Sequence, residues 1–181
     1  MLGKLGRSFS VVVPDADESF DPNISAAKAA EMLAERKARA VAARVRDGIV
    51  IGADTLVATG TKIIGKPRDR AEAVEILTRL SGIRQAVITG VCVIDAATGR
   101  TLTASETTWV TMRNMTREEI QAYVDSGEAD GKAGAYAIQE TGDRYVEKIE
   151  GDLDNVVGLP VELVKRLLAE IESLVMGSEL Q

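Results

Sequence analysis

The chain has 181 residues, a formal net charge of −6, no histidine and a single cysteine. That removes every histidine-based triad, every histidine-ligated zinc site and any intrachain disulfide. With no long basic block and only 3% aromatic residues it also argues against a general nucleic-acid binder or a stacking platform for single strands. The length fits one domain on the usual scale of about 100–200 residues, and carboxylates, lysines and metals are what remain for chemistry.

No apolar run is long enough to span a bilayer. Residues 1–10 hold Lys4 and Arg7 without a sustained apolar core, so the cytoplasm is the expected location. Residues 1–6 read as the last turn of a helix, closed by Gly6. Residues 8–13 read as a short strand ended by Pro14. Asp15, Asp17 and Glu18 make an acidic loop, for which a solvated turn is the plain reading.

Ser25 is a suitable N-cap for a helix to about residue 46. Its apolar stripe is Ala30, Leu33, Ala34, Ala38, Val41, Ala42 and Val45, with Lys37 in its middle. Lys37 either snorkels its ammonium to the rim or meets an anion in a cleft. A buried strand follows over residues 48–53 and ends on the carboxylate of Asp54. A Gly turn comes at Gly60, and the segment closes on Gly65-Lys66-Pro67.

Asp69 and Glu72 predict a capping box for a helix with Val74, Leu77 and Leu80 inward, stopped at Ser81-Gly82. Residues 85–95 and 101–112 predict an antiparallel hairpin around Gly99. Cys92 lies in that run as a small core hydrophobe, and Trp109 is expected to pack. Thr116 and Glu119 predict a second capping box, for a helix with Ile120, Tyr123 and Val124 buried, stopped by Gly127. Gly131 and Gly134 allow close backbone approach ahead of a strand, with residues 145–150 as its partner. Pro160 suits the first position of a last helix with Val164, Leu167, Leu168, Ile171 and Leu174 inward. This order predicts an α/β fold, a mixed sheet of parallel and antiparallel pairs with flanking helices.

Gly60 to Lys66 fits the spacing Gly-x-x-x-x-Gly-Lys, but Pro67 stands where a P-loop needs Ser or Thr to hold Mg²⁺. Ile63-Ile64 also reads as strand, so a P-loop is rejected. Asp54 is the stronger lead, because ligands in open α/β sheets sit beyond strand ends.

Several stretches together carry a resemblance: Asp17-Glu18, Leu33-Ala34 with Lys37-Ala38, Gly52-Ala53-Asp54-Thr55, Gly65-Lys66-Pro67, Leu80-Ser81-Gly82 and Thr89-Gly90-Val91. It continues through Lys132-Ala133-Gly134-Ala135-Tyr136, Ile138-Gln139, Gly151-Asp152 and Asn155-Val156-Val157-Gly158-Leu159-Pro160. In this order, over nearly the whole chain, they resemble the Maf family of nucleoside triphosphate pyrophosphatases. The resemblance implies a single Maf-like domain over 1–181, an elongated Maf/ITPase-like fold with a central cleft, and a homodimer. It implies Mg²⁺- or Mn²⁺-dependent hydrolysis of a nucleoside triphosphate to the monophosphate and pyrophosphate. It also implies the site: Asp54 as catalytic acid or base, Lys37 and Lys66 on phosphate, Glu18 at the same cleft, and Thr55 and Gln139 in base selection; the metal is expected on Asp54, Glu18 or both. The sequence at 134–139 has the form of the branch acting on dTTP and UTP, where the 7-methyl-GTP branch carries a Ser-Glu type.

The family opens with an apolar strand and a Ser-x-Ser-Pro-Arg-Arg turn that binds phosphate, whereas this chain begins at what would be the next helix. The expected domain is therefore N-terminally short, without those two arginines. That departure keeps a second expectation open: a nucleotide-binding regulator linked to cell division that does not hydrolyse its ligand.

Overall fold

The computed structural model describes residues 2–138 and 141–178. Five strands form one sheet: β1 (Ile49–Thr59), β2 (Lys62–Ile64), β3 (Arg84–Asp95), β4 (Thr101–Met112) and β5 (Val146–Glu150). Their order is β2-β1-β3-β4-β5, and every described ladder is antiparallel. The expected helices flanking a sheet are there; among the described residues the expected parallel pairs are not. The tight β1–β2 hairpin at Gly60 adds one reversal before the next helix, so β3 returns antiparallel to β1 instead of completing a parallel crossover.

Ser25 caps α1 (Ala26–Ala42) by accepting from the Lys28 N–H at 3.2 Å. The helix stops short of residue 46. Arg44 and Val45 bond back to Val41 and Ala42 in tighter turns, and Val45 finds no cover. Asp69 caps α2 (Arg70–Leu80), yet Glu72 reaches the backbone of Arg68, one residue outside the cap, so the expected box is not closed. At α3 (Arg117–Asp125) the box forms in full: Thr116 and Glu119 each accept from the other's N–H. Two more helices follow, α4 (Leu153–Val157) and α5 (Val161–Ser178). The short α4 precedes Pro160, in a stretch that carries the resemblance. Asp152 caps it, and Gly158 ends it at φ 113°. Leu174 of α5 is exposed instead of buried.

Two predicted strands do not form. Residues 7–20 are irregular, with Val11 and Val13 at 80% and 83% exposure. Strand-prone side chains need a ladder partner, and among the described residues this segment finds none. Among the described residues of 133–145 there are only short 3₁₀ turns, Ala133–Ala135 and Thr141–Tyr145, and β5 pairs with β4 instead of closing a local hairpin. The N-terminal turn, Leu2–Leu5, is likewise 3₁₀, ended by Gly6 at φ 66°.

The alternation of β1 and β3 sorts the core into two faces. Leu56, Ala58, Ala86, Ile88, Cys92 and Ile94 meet α1 on one face. On the other, Val57 and Val87 join α2, α3, Tyr136 and Tyr145, while Val91 and Val93 join α5. Helix α1 lies unusually close to the sheet because Gly52 and Gly90 stand beneath it. A Cβ on Gly90 would come within 2.2 Å of the Ala30 carbonyl oxygen, and one on Gly52 within 2.4 Å of that of Ala34. None of the helices among the described residues is long and apolar enough to cross a membrane.

Candidate active site

Asp54 was expected at the end of a strand. β1 instead runs on to Thr59, and Asp54 sits in its middle, level with Gly90 of β3. What opens this position is the strand's side. β2 pairs with β1 only at residues 57–59, so over residues 49–56 β1 has a single ladder neighbour among the described residues. The sequence between β1 and α2 therefore builds a site at a sheet edge, and the Gly60–Lys66 span is a hairpin turn followed by β2, not a phosphate nest.

An alternating chain of charges crosses that edge. The Lys37 ammonium, projecting from α1, donates to Asp54 Oδ1 and lies 2.8 Å from Glu18 Oε1. The other oxygen of Glu18 is 3.5 Å from Lys66 Nζ. Of the two readings of Lys37, the anion-meeting one holds. Its side chain and that of Asp54 are only 18% and 10% exposed, whereas Glu18 and Lys66 are half exposed. The inner pair is thus an interior ion pair and the outer pair a solvated rim.

The electrostatics follow that division. Burial pushes the Asp54 carboxyl above the ordinary aspartate range, against the opposing hydrogen bond and charge of Lys37. Cations alone would have lowered it, so desolvation is the stronger influence. Burial also weighs against the Lys37 ammonium, but its hydrogen bonds to Asp54 and Glu18 outweigh that and raise it above the usual lysine value. The hydrogen bond from Lys37 holds Glu18 below the ordinary range.

Beside these charges, on the sheet face away from α1, a cavity of about 300 Å³ is lined by Thr55, Val57, Val87, Tyr136, Ile138 and Val156, together with the charged Asp54, Lys66 and Lys132. A second recess, on the α1 side, holds Lys37 and Glu18; Ala53 borders both. Gly134, at φ 71°, brings the 131–138 turn against Val57, and its N–H bonds the Gly65 carbonyl at 3.2 Å. This ties the cavity wall to the backbone beside Lys66. Tyr136 accepts from Gln85 Nε2 at 3.1 Å, and burial pushes its phenol up to about 12.

The opposite wall is positioned by a buried polar network. Asn155 donates from Nδ2 to the Val87 carbonyl and to Thr108 Oγ1, and Thr108 donates to the Asp152 carbonyl. Thr89 donates to the Asn155 carbonyl and faces Thr55 across the ladder at 2.9 Å.

The structure thus brings together Glu18, Lys37, Asp54 and Lys66, and places Thr55 in the adjoining cavity. Gln139 lies outside the described residues. Gln85, Thr89, Tyr136 and Asn155 had no task in the sequence reading. Thr89, Tyr136 and Asn155 stand in stretches that carry the resemblance, but only the sheet register puts Thr89 opposite Thr55. Cys92 is buried against α1, and burial raises its thiol, in keeping with a core role. Trp109 packs beneath the Arg84 guanidinium at 4.1 Å.

No set of three or more metal-binding side chains is gathered among the described residues. Glu18 and Asp54 nevertheless converge on one ammonium, and two carboxylates are the usual protein share for a hard cation that also takes water and phosphate oxygens. The donor set fits Mg²⁺ or Mn²⁺.

An antiparallel sheet with a charged open edge beside a cavity of mixed polarity defines a class: α/β proteins with a cleft at a sheet edge. Residues 1–171 match the family described as Maf-like protein, and the chain belongs to that family. It is 45% identical over 161 residues to a dTTP/UTP pyrophosphatase of Desulforamulus reducens, covering 89% of this chain and 84% of the relative. It is 41% identical over 179 residues to one of Syntrophomonas wolfei subsp. wolfei, covering 99% and 95%. A relative of the same name from Alkaliphilus metalliredigens is 46% identical over 162 residues, covering 89% and 84%.

Proposed function

We propose that this protein hydrolyses pyrimidine nucleoside triphosphates, dTTP and UTP foremost, to the monophosphate and pyrophosphate. The observation that carries the reading is the Asp54–Lys37–Glu18–Lys66 chain, two of whose members, Asp54 and Lys66, also line a base-sized cavity. The relatives named dTTP/UTP pyrophosphatase support the choice of substrate. Thr55 and Gln139 belong to base selection, Gln139 on the resemblance alone. A cytoplasmic homodimer remains part of the proposal.

The base and sugar occupy the cavity, and the phosphates extend over the open edge of β1. Lys37 and Lys66 place positive charge where the triphosphate is anionic and where charge builds on the leaving pyrophosphate. Asp54 accepts a proton from the water that attacks the α-phosphorus; the Pα–O bond to the β-phosphate breaks, and the pyrophosphate leaves with the bond electrons. Glu18 and Asp54 would hold a divalent cation, which when bound neutralises phosphate oxygens and acidifies water. Glu18, kept ionised by Lys37, also steadies that lysine between the two carboxylates.

Pyrophosphate release across a nucleotide panel with Mg²⁺ or Mn²⁺ tests the reading. Asp54→Asn keeps the shape of the side chain and removes the base, so turnover should fall by about 10²–10⁴ with the fold intact. Unchanged turnover in that variant removes Asp54 from the mechanism. Nucleotide binding without any pyrophosphate release by the wild type would instead favour the regulator.

A further inference from the structure

Thr55 and Thr89 are directly opposite in the β1–β3 ladder, and their hydroxyl oxygens are 2.9 Å apart. Geometry at that contact allows either to donate. A second contact removes the ambiguity: Thr89 Oγ1 lies 3.2 Å from the backbone carbonyl of Asn155, which can only accept. A hydroxyl has one proton. Thr89 spends it on Asn155, so it accepts from Thr55, and the Thr55 proton is directed away from the cavity. The Asn155 carbonyl is itself held in place. Its side-chain amide donates to the Val87 carbonyl at 3.0 Å and to Thr108 Oγ1 at 3.1 Å, and Thr108 passes its own proton to the Asp152 carbonyl. Thr89, Thr108 and Asn155 are all buried, so no solvent competes for these protons.

We propose that Thr89 is a positioning residue that fixes Thr55 Oγ1 as a hydrogen-bond acceptor facing the cavity, and thereby selects pyrimidines carrying a proton on ring N3. Uracil and thymine have that N–H. Cytosine presents a lone pair at the same atom and would face the Thr55 lone pairs. The proposal rests on the pyrimidine-nucleotide reading above. It assigns the preference to hydroxyl polarity set from behind the cavity wall, by a residue that does not line the cavity.

The experiment compares kcat/KM for UTP and CTP in the wild type and in Thr89→Val, Thr89→Ser, Thr55→Val and the Thr55→Val/Thr89→Val double variant. Thr89→Val keeps the β-branched shape and releases the Thr55 proton to turn towards the cavity. Its UTP-to-CTP ratio should drop by roughly five- to tenfold, the worth of about one hydrogen bond. Thr89→Ser retains the relay and should keep the ratio within about twofold, which loss of packing alone would not produce. Thr55→Val should lower the ratio as Thr89→Val does, and the double variant should lower it no further, because both changes act on one acceptor. A ratio unmoved in folded Thr89→Val, or Thr89→Ser falling as far as Thr89→Val, overturns the relay. Should Thr89→Val not fold, Thr55→Val decides, and an unchanged ratio there overturns the proposal. A wild type that releases pyrophosphate but does not prefer UTP to CTP overturns this inference and the preference for UTP, and leaves the pyrophosphatase reading standing. A wild type that releases none from any nucleotide overturns the proposed function, and this inference with it.

Discussion

Lys37 and Lys66 are both site lysines, yet their surroundings give them different energetic weights. Lys37 is the direct partner of the mostly buried Asp54, and removing it leaves that carboxylate without its counter-charge inside the protein. Breaking such an interior pair costs about 3–5 kcal/mol; partial exposure at this rim reduces the figure, and about 2 kcal/mol is expected for Lys37→Met. Lys66 is half exposed and 3.5 Å from a half-exposed glutamate, so Lys66→Met should change stability by less than about 0.5 kcal/mol. Both should lose turnover. Urea unfolding beside pyrophosphate release checks the contrast, and equal destabilisation by the two variants would contradict it. At this scale the residue types were legible in the sequence, since a chain without histidine leaves carboxylates and lysines for phosphate chemistry. The partnership was not. That Lys37 serves Asp54 and Glu18 together depends on how closely α1 lies on β1, which no local pattern encodes.

That closeness belongs to the elements. α1 was predictable from Ser25 and its apolar stripe, α3 from its capping box, and the β3–β4 hairpin from two long β-prone runs around Gly99. Each of those signals is local. The failures share the opposite cause. Residues 8–13 have strand composition but no ladder, and Asp54 looked terminal because nothing local reveals that β1 continues while its neighbour β2 stops. Gly52 and Gly90 joined the resemblance without a physical task. Their task is to admit α1: the Ala30 and Ala34 carbonyls lie where side chains would otherwise be. Gly90 is also the ladder partner of Asp54. In Gly90→Ala the added methyl meets helix backbone, which cannot swing aside as a side chain can, so α1 must lift. Overpacking of this kind costs about 1–3 kcal/mol, and the lifted helix carries Lys37 away from Asp54. Thermal unfolding and turnover should therefore fall together in Gly90→Ala, and full activity at a lowered Tm would separate the helix packing from the site.

At the scale of the whole molecule, the site is where otherwise independent parts meet. Glu18 comes from an irregular segment, Lys37 from the helix on one face, Asp54 and Thr55 from the sheet, and Lys66 from the link to α2. The 131–138 turn and the end of α4 close the cavity on the other face. The two apolar clusters of that second face are anchored separately, one under α2 and α3 and one under α5. A nucleotide with its base in the cavity and its phosphates at Lys37 and Lys66 would touch both faces and bridge these parts. Because the unfolded chain has no such constellation, a ligand at 100 times its Kd should stabilise the fold by about 2.7 kcal/mol. For a domain of this size that corresponds to a rise in Tm of roughly 5–10 °C. The measurement is thermal unfolding with Mg²⁺ and a UTP analogue whose α,β-bridge is a methylene group, so that no turnover intervenes. Lys66→Met should reduce the shift by weakening phosphate contact without lowering the starting Tm. Uridine at the same concentration, which can fill the cavity but not reach the charged edge, should give a much smaller shift. Equal shifts from uridine and the triphosphate analogue would mean that the Asp54–Lys37–Glu18–Lys66 chain does not engage the phosphates.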